Sequence, residues 1–301
     1  MNPPRSFSRR HFLATAAGAA LANHVASTAV RGAATERFPI IGFTKPFQDL
    51  GPEATAEVVA KIGWSGIECP VRAKGQILPE RVEEDLPKMH AALKARGLEL
   101  SLITTDVRRV DPLTEKVLRT AQKLGVQRYR LTFLHYDLKQ PIPPQLDQLR
   151  GELRELAALN KELGIRGGIQ NHSGRDYVGA PIWDLYELLK DIDPQHLGVC
   201  FDIGHATVEG GTSWPIEAKL MEPFMTCVYV KDFAWEKGPK GWVTKWGPLG
   251  GGLVRREFFA WLKSSSYRGP ISQHVEYLEG SGPEQISAMQ RDVATLKEWL
   301  A

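Results

Sequence analysis

Leu197-Gly198-Val199-Cys200-Phe201-Asp202-Ile203-Gly204-His205 is the stretch from which the rest of the chain can be read. An apolar run ends in a carboxylate, and an imidazole follows three residues later. A run that is apolar at every position fits a strand buried on both faces, as in a parallel sheet. In α/β folds, chemistry gathers at the carboxyl ends of such strands. Asp202 and His205 therefore stand where metal ligation or proton transfer occurs. The alternative is that Asp202 only caps the next helix and His205 only packs.

Working outward, comparable runs occupy 38–43, 66–69, 98–104, 128–133, 166–172, 197–202, 226–231 and 270–276, eight in all. Between them apolar residues recur at helical spacing, as in Val82, Leu86, Met89 and Leu93, or Leu146, Leu149, Leu153, Leu156 and Leu159, or Ile286, Met289, Val293, Leu296 and Leu300. Asp111-Pro112 and Pro181 open helices, while Gly97, Gly125 and Gly164 close them. Eight such alternations over 37–301 give the length and rhythm of a single (β/α)8 barrel, an α/β fold. A doubly wound open sheet is the alternative, but no glycine-rich dinucleotide fingerprint follows the first strand.

The N-terminus reads differently. Ser8-Arg9-Arg10-His11-Phe12-Leu13 precedes an uncharged run from Ala14 that ends in Ala20-Leu21-Ala22, the pattern of a twin-arginine export signal with a small-residue cleavage site. Residues 1–22 are thus expected to be a leader, 23–36 a flexible linker and 37–301 the barrel. The run is too weak for a membrane span, so a periplasmic or extracellular protein without stable membrane insertion is expected once the leader is cleaved. The formal charge is +3, and the leader holds Arg5, Arg9 and Arg10 with no acid. The remainder is formally neutral, and its net charge gives no sign of a nucleic-acid partner. Cys69, Cys200 and Cys227 lie far apart in or beside apolar strands and read as buried, inert thiols. Export in the folded state favours a preloaded metal, and a homo-oligomer is compatible with the chain.

Side chains two apart on a strand share a face. That groups Gly168, Gln170 and His172; Cys200 and Asp202; Cys227, Tyr229 and Lys231; and Ser272, His274 and Glu276. Four consecutive strands giving polar groups on one parity point to a site, because unpaired polar groups are costly to bury. Glu68, in Gly66-Ile67-Glu68, joins them from the second strand, with Arg72 close behind; a structural ion pair between the two is the alternative. The stretch 232–252 reads as a long loop, hence an active-site lid, whose Trp235, Trp242 and Trp246 can stack on sugar rings. Its Gly250-Gly251-Gly252 is either a phosphate-binding turn or a lead-in to the next helix.

The ordered set Gly66-Ile67-Glu68, Gln170-Asn171-His172, Asp202-Ile203-Gly204-His205, Val230-Lys231-Asp232, Pro248-Leu249-Gly250 and Ser272 to Glu276 resembles the xylose isomerase-like barrels. These include sugar phosphate isomerases and epimerases, the ketose 3-epimerases and, more distantly, endonuclease IV. The resemblance implies a divalent metal held by Glu, Asp, His and Glu on the last four strands, with the two glutamates exchanging a proton beside the carbonyl. Asp202 matches the aspartate, and His205 matches a substrate-contacting histidine. Gln170 stands in place of the first glutamate, Tyr229 of the histidine and His274 of the last glutamate. Gln170 can offer a neutral oxygen but cannot act as a base, whereas His274 can do either, so the two-glutamate exchange does not carry over unchanged.

The resulting expectation is a sugar or sugar-derivative isomerase or epimerase that acts by proton transfer next to a carbonyl. Asp202 and His274, helped by Gln170, hold a divalent cation (Mn, Mg, Co or Zn) more weakly than the family site, or polarise the carbonyl directly. Glu276 or Glu68 serves as base. His205, His274 and Lys231 bind or protonate the oxygens, and His172, Arg72 and Trp235 hold the sugar. A lyase or hydratase acting on a keto sugar is the nearest neighbouring reaction, and a carbohydrate-binding barrel without catalysis is the other class. A DNA-repair role is disfavoured because the three-metal ligand set is missing.

Overall fold

Eight parallel strands close into a barrel in this computed structural model, which describes residues 37–278 and 282–301. The expected leader and linker lie outside the described residues. In chain order the strands are β1 (Ile40–Phe43), β2 (Gly66–Val71), β3 (Glu99–Thr105), β4 (Arg128–Arg130), β5 (Arg166–Gln170), β6 (Leu197–Asp202), β7 (Met225–Val230) and, after a two-stranded insertion β8 and β9, β10 (Ile271–Gln273). β10 pairs with both β7 and β1, which completes the circle and leaves no open edge. The (β/α)8 fold read from the sequence is the fold observed.

The helices between strands are α1 (Pro52–Ile62), α2 (Val82–Lys94), α3 (Pro112–Lys123), α4 (Ile142–Leu163), α5 (Trp183–Leu189), α6 (Ile203–Gly210), α7 (Trp214–Met221), α8 (Arg256–Ser264) and α9 (Pro283–Leu300). Sequence punctuation sets their ends. Asp111 caps α3 by accepting the Thr114 N–H at 2.7 Å, and α4 stops at Gly164, whose φ of 64° favours glycine. Every residue of β2, β6 and β7 is buried, because one face packs on the helices and the other fills the barrel. The interior holds Ile41, Leu102, Cys200, Cys227 and Tyr229. Burial pushes the Cys200 thiol up to about 12, and all three cysteines are reduced, buried and inert, as expected.

Two segments differ from the sequence reading. The stretch expected to be an irregular lid is largely an antiparallel ribbon, β8 (Asp232–Gly238) and β9 (Gly241–Gly247), with Phe233 opposite Trp246 and Trp235 opposite Thr244. Asp232 fixes its base: the carboxylate accepts the N–H groups of Phe233, Gly250, Gly252 and Val254 at 2.8 to 3.0 Å. The amides of Gly250 and Gly252 are therefore committed to this carboxylate and do not form a phosphate cradle. The last strand is also shorter than expected. After Gln273 only one ladder-type bond remains, from the His274 N–H to the Val230 carbonyl at 3.0 Å.

One stability feature arises outside the barrel mouth. Glu217 on α7 is half-buried against Gly210, where a Cβ would lie 2.1 Å from its carboxylate. Burial first, and then repulsion from Glu209, raise its pKa from 4.5 to about 7. A folded-state pKa above the unfolded one gives stability that is present below 4.5 and lost as pH rises through about 7. Glu217→Gln should therefore stabilise the protein at pH 8 by on the order of 1 kcal/mol, after discounting for solvent screening, and hardly at all at pH 4.5. Thermal melts at both pH values test this, and an equal gain at both would refute it.

Candidate active site

Glu68 lies at the floor of the barrel mouth, fully buried on β2. One carboxylate oxygen accepts from Thr104 Oγ1 and, at 2.9 Å, from the Tyr229 hydroxyl; the other accepts from Ser272 Oγ at 2.6 Å and His274 Nε2 at 3.0 Å. Burial alone would raise its pKa. The charge and hydrogen bond of His274, with Arg130 and Ser272, outweigh burial and bring it to about 2. Four donors saturate this carboxylate, so the expectation that Glu68 is a base gives way to an anchor. Arg72 makes no ion pair with it: among the described residues Glu68 pairs with His274.

His274 is the next link. Burial opposes its charge, but Glu68 and Glu276 raise its pKa above 6.5, and its Nδ1 lies 3.6 Å from Glu276 Oε1. It is an imidazolium between two carboxylates. Glu276, with 37% of its side chain exposed, also meets Lys231 Nζ at 3.2 Å. Lys231 is 3.3 Å from Asp202 Oδ2 and 4.6 Å above the Trp246 ring. Glu68, His274, Glu276, Lys231 and Asp202 thus form a row of alternating charge across the barrel mouth.

Asp202 closes the row and is held on every side. Its Oδ1 accepts the His205 N–H at 3.1 Å, so it does cap α6, and its Oδ2 accepts from Gln170 Nε2 at 2.8 Å. Asn171 brackets its backbone, with bonds of 2.7 and 3.0 Å to the peptide N–H and carbonyl. Burial opposes its ionisation, but Lys231, His205 and His274 keep its pKa below 3.8. Gly204 makes this arrangement possible, since a Cβ there would lie 2.8 Å from Lys231 Cγ.

Two histidines stand beside the row. His172 Nδ1 donates to the Ser173 carbonyl at 2.8 Å, which leaves the lone pair on Nε2. Burial and the Lys231 charge lower its pKa to about 4, so it is neutral at pH 7. His205, 3.8 Å away ring to ring, bonds Ser173 Oγ through Nδ1 at 2.7 Å, while its buried Nε2 has no hydrogen-bond partner among the described residues and lies 3.7 Å from Asp202 Oδ2. These groups adjoin a cavity of about 570 Å³ walled by Phe43, Arg72, Arg130, Phe133, His172, Trp246, His274 and Glu276. A larger cavity of about 880 Å³ lies at the opposite end of the barrel, by the strand starts at Leu98–Leu100, Arg128 and Pro270, with Glu99 as its only carboxylate. Its titratable groups, such as His90, Lys94 and Glu99, form none of the buried ion pairs seen at the smaller cavity, which is the candidate site.

The structure brings His172, Asp202, His205, Lys231, His274, Glu276, Gln170 and Arg72 to this mouth. It does not bring Trp235, which is 45% exposed on the ribbon; Trp246, its neighbour on the paired strand, lines the cavity instead. Sequence reasoning missed Arg130 and Asn171. Arg130 donates to the Gln170 amide oxygen, and the clue was an arginine at the carboxyl end of β4, two residues after Arg128 and so on the same face.

A closed parallel barrel with its titratable groups at the carboxyl ends of the strands has the architecture of the (β/α)8 barrels whose active sites lie there. This chain belongs to the xylose isomerase-like TIM barrel family, whose model matches residues 56–299. Among solved structures it is similar to the 3-keto-D-glucoside 4-epimerase of E. coli, at 15% identity over 87% of this chain and 99% of that one, TM-score 0.65. It is also similar to the D-allulose 3-epimerase of Methylomonas sp. in complex with D-allulose, at 16% identity over 87% and 97%, TM-score 0.65. A third is a xylose isomerase-like barrel protein from Mycobacterium smegmatis in complex with magnesium, at 18% identity over 88% and 98%, TM-score 0.65. An uncharacterised protein of Methanocaldococcus jannaschii is 36% identical over 73 residues, which spans 24% of this chain and 25% of that relative.

The donor set here does not fit a divalent cation. The Gln170 oxygen is taken by Arg130 and its amide nitrogen faces Asp202; the Asp202 oxygens are taken by Lys231, Gln170 and the helix cap; both His274 nitrogens face carboxylates. Tyr229 stays a neutral phenol, its pKa pushed well above 10 by burial first. Among the described residues no group of three or more His, Cys, Asp and Glu is placed to hold a metal. Asp202, His274 and Gln170, the expected set, do meet at this mouth, but their polar atoms are engaged by protein partners, and a lysine ammonium and a histidine supply positive charge beside these carboxylates.

Proposed function

We propose that this protein is a sugar isomerase or epimerase that moves a proton on the carbon next to a carbonyl, with protein cations rather than a metal stabilising the enolate. The reading rests on one observation: a neutral imidazole, His172, shares a cavity with the Lys231 ammonium and the His274 imidazolium. His172 Nε2 takes the proton as general base, since its lone pair is free at pH 7. Lys231 faces the oxygen that gains negative charge, with the His274 charge behind it, where fixed charges in a site with little water act most strongly. The protonated His172 then returns the proton to the substrate carbon, to the same or the neighbouring one, so that every group ends in its starting state, while Glu68 and Glu276 keep the charge of His274 in place. His205 packs on His172 and on Trp246, holding the base and one wall in place. Family membership and the epimerases among its structural neighbours support this class of reaction.

The test is deuterium uptake from D2O, followed by proton NMR, with D-allulose, D-fructose and 3-keto-glucosides as probes. Loss of the signal from hydrogen next to the carbonyl is expected for at least one probe, with the rate falling by about 10²- to 10⁴-fold in His172→Ala. No exchange in any probe would favour a binding barrel without catalysis.

A further inference from the structure

Two cations of this mouth, Arg72 and Arg130, stand apart from the salt-bridged row, with Asp106 and Glu68 within reach of their charge but not paired to them. Arg72, Arg130, Lys231 and His274 are positive there, and Glu68, Asp202 and Glu276 are negative; at the rim Lys45 and Asp49 cancel. The three carboxylates are matched by His274 and Lys231, whereas among the described residues neither Arg72 nor Arg130 forms a salt bridge. Arg130 is only 3% exposed, bonds a neutral amide oxygen, and has a buried Nε without a hydrogen-bond partner. Glu68 feels the Arg130 charge without pairing to it, and a buried guanidinium with an unpartnered N–H is costly unless a further acceptor completes it.

Each of the two arginines also lies over an aromatic ring. The Arg130 guanidinium carbon lies 4.6 Å above the Phe133 ring, and that of Arg72 lies 5.7 Å from the centre of the Phe43 ring, which itself stacks on His274 at 4.8 Å. Stacking on an aromatic face leaves the N–H edge of a guanidinium available, and that edge matches the two oxygens of a carboxylate or phosphate. Both side chains wall the same cavity as His172 and His274.

Building on the isomerase reading of this cavity, we infer that its substrate carries an anionic group, a carboxylate or a phosphate, bound by Arg130 and Arg72 beside the reacting carbons. The anion fills the unmatched charge and fixes which end of the sugar faces His172. A neutral sugar leaves both arginines unpaired.

Isothermal titration calorimetry at pH 7 with D-glucuronate, D-glucose 6-phosphate and D-glucose tests this. At least one anionic probe should bind roughly tenfold or more tightly than glucose, and which one identifies carboxylate or phosphate. Arg72→Gln, at a partly exposed position that should tolerate the change, should erase that preference, and Arg130→Lys should weaken it. Equal affinity for all three, no binding of either anion, or a preference that survives in Arg72→Gln would overturn the inference. Binding is read without turnover, so an absence of deuterium exchange alongside anion-selective binding would count against the isomerase reading alone.

Discussion

Lys231→Met lowers turnover by about 10²- to 10⁴-fold, the range seen when a preorganised charge facing a developing oxyanion is removed. Methionine keeps most of the length and apolar stem, so Trp246 and Gly204 retain their neighbour and the change isolates the ammonium. Two effects then act together. On the proposed mechanism the enolate oxygen loses a stabilising cation, and Asp202 and Glu276 lose the charge that separates them at 3.3 and 3.2 Å. The same substitution should destabilise the fold by about 3 kcal/mol or more, because Asp202 is left buried with less compensation. The wild-type rate, by the same argument, survives dialysis against a chelator and does not rise on adding Mn²⁺ or Mg²⁺. Steady-state kinetics on treated protein settle the matter, and a rate lost on chelation and restored by metal would falsify the assignment of Lys231.

Glu68→Gln has the largest expected effect on stability, a loss of about 3 to 5 kcal/mol, because it strips a buried imidazolium of its partner. The amide also turns two donors toward Ser272 and His274 or toward Thr104 and Tyr229, where four donors already point inward. The pH dependence carries a distinct signature. Glu68 has a folded pKa depressed from 4.5 to about 2, so its contribution is full above 4.5 and lost as pH falls through about 2. His274 has a folded pKa raised above 6.5, so its contribution is full below 6.5 and lost as pH rises through that raised value. The pair therefore stabilises most between pH 4.5 and 6.5. Denaturant titrations of wild type and variant across pH 4 to 9 should show the difference shrinking on the alkaline side, and a constant difference would rule out the charged pair.

Much of this was legible in the chain because a (β/α)8 barrel has a strong period. Runs such as Leu197–Asp202 and Met225–Val230 are apolar at nearly every position, and parity along them placed Glu68, Gln170, Asp202, Lys231 and His274 at one mouth. What parity cannot show is which partner reaches a polar atom first. Gln170 had the right place for a ligand, yet Arg130 from β4 takes its oxygen, and that meeting spans 40 residues of sequence. Lys231 was read as a group that binds the sugar, whereas its length lets it cross Gly204 to lie between Asp202 and Glu276. The ribbon was missed for a different reason. One face of 232–238 and 241–247 carries Phe233, Trp235, Trp242 and Trp246 but also Lys237, and the other carries Asp232, Glu236 and Lys245, so neither strand has the continuous apolar run that marked the barrel strands.

The four amides gathered by Asp232 separate the ribbon from the barrel mechanically. Its two ends are tied to one carboxylate, beside β7, while Trp235 and Trp242 stand 45% and 66% exposed farther out. Insertions, deletions or a wholly different hairpin between Phe233 and Trp246 would leave that knot and the row of charges beneath it untouched. Such a hairpin can therefore be exchanged as a cassette, with the exposed outer surface changing while the cavity-lining groups, Trp246 included, stay where they are.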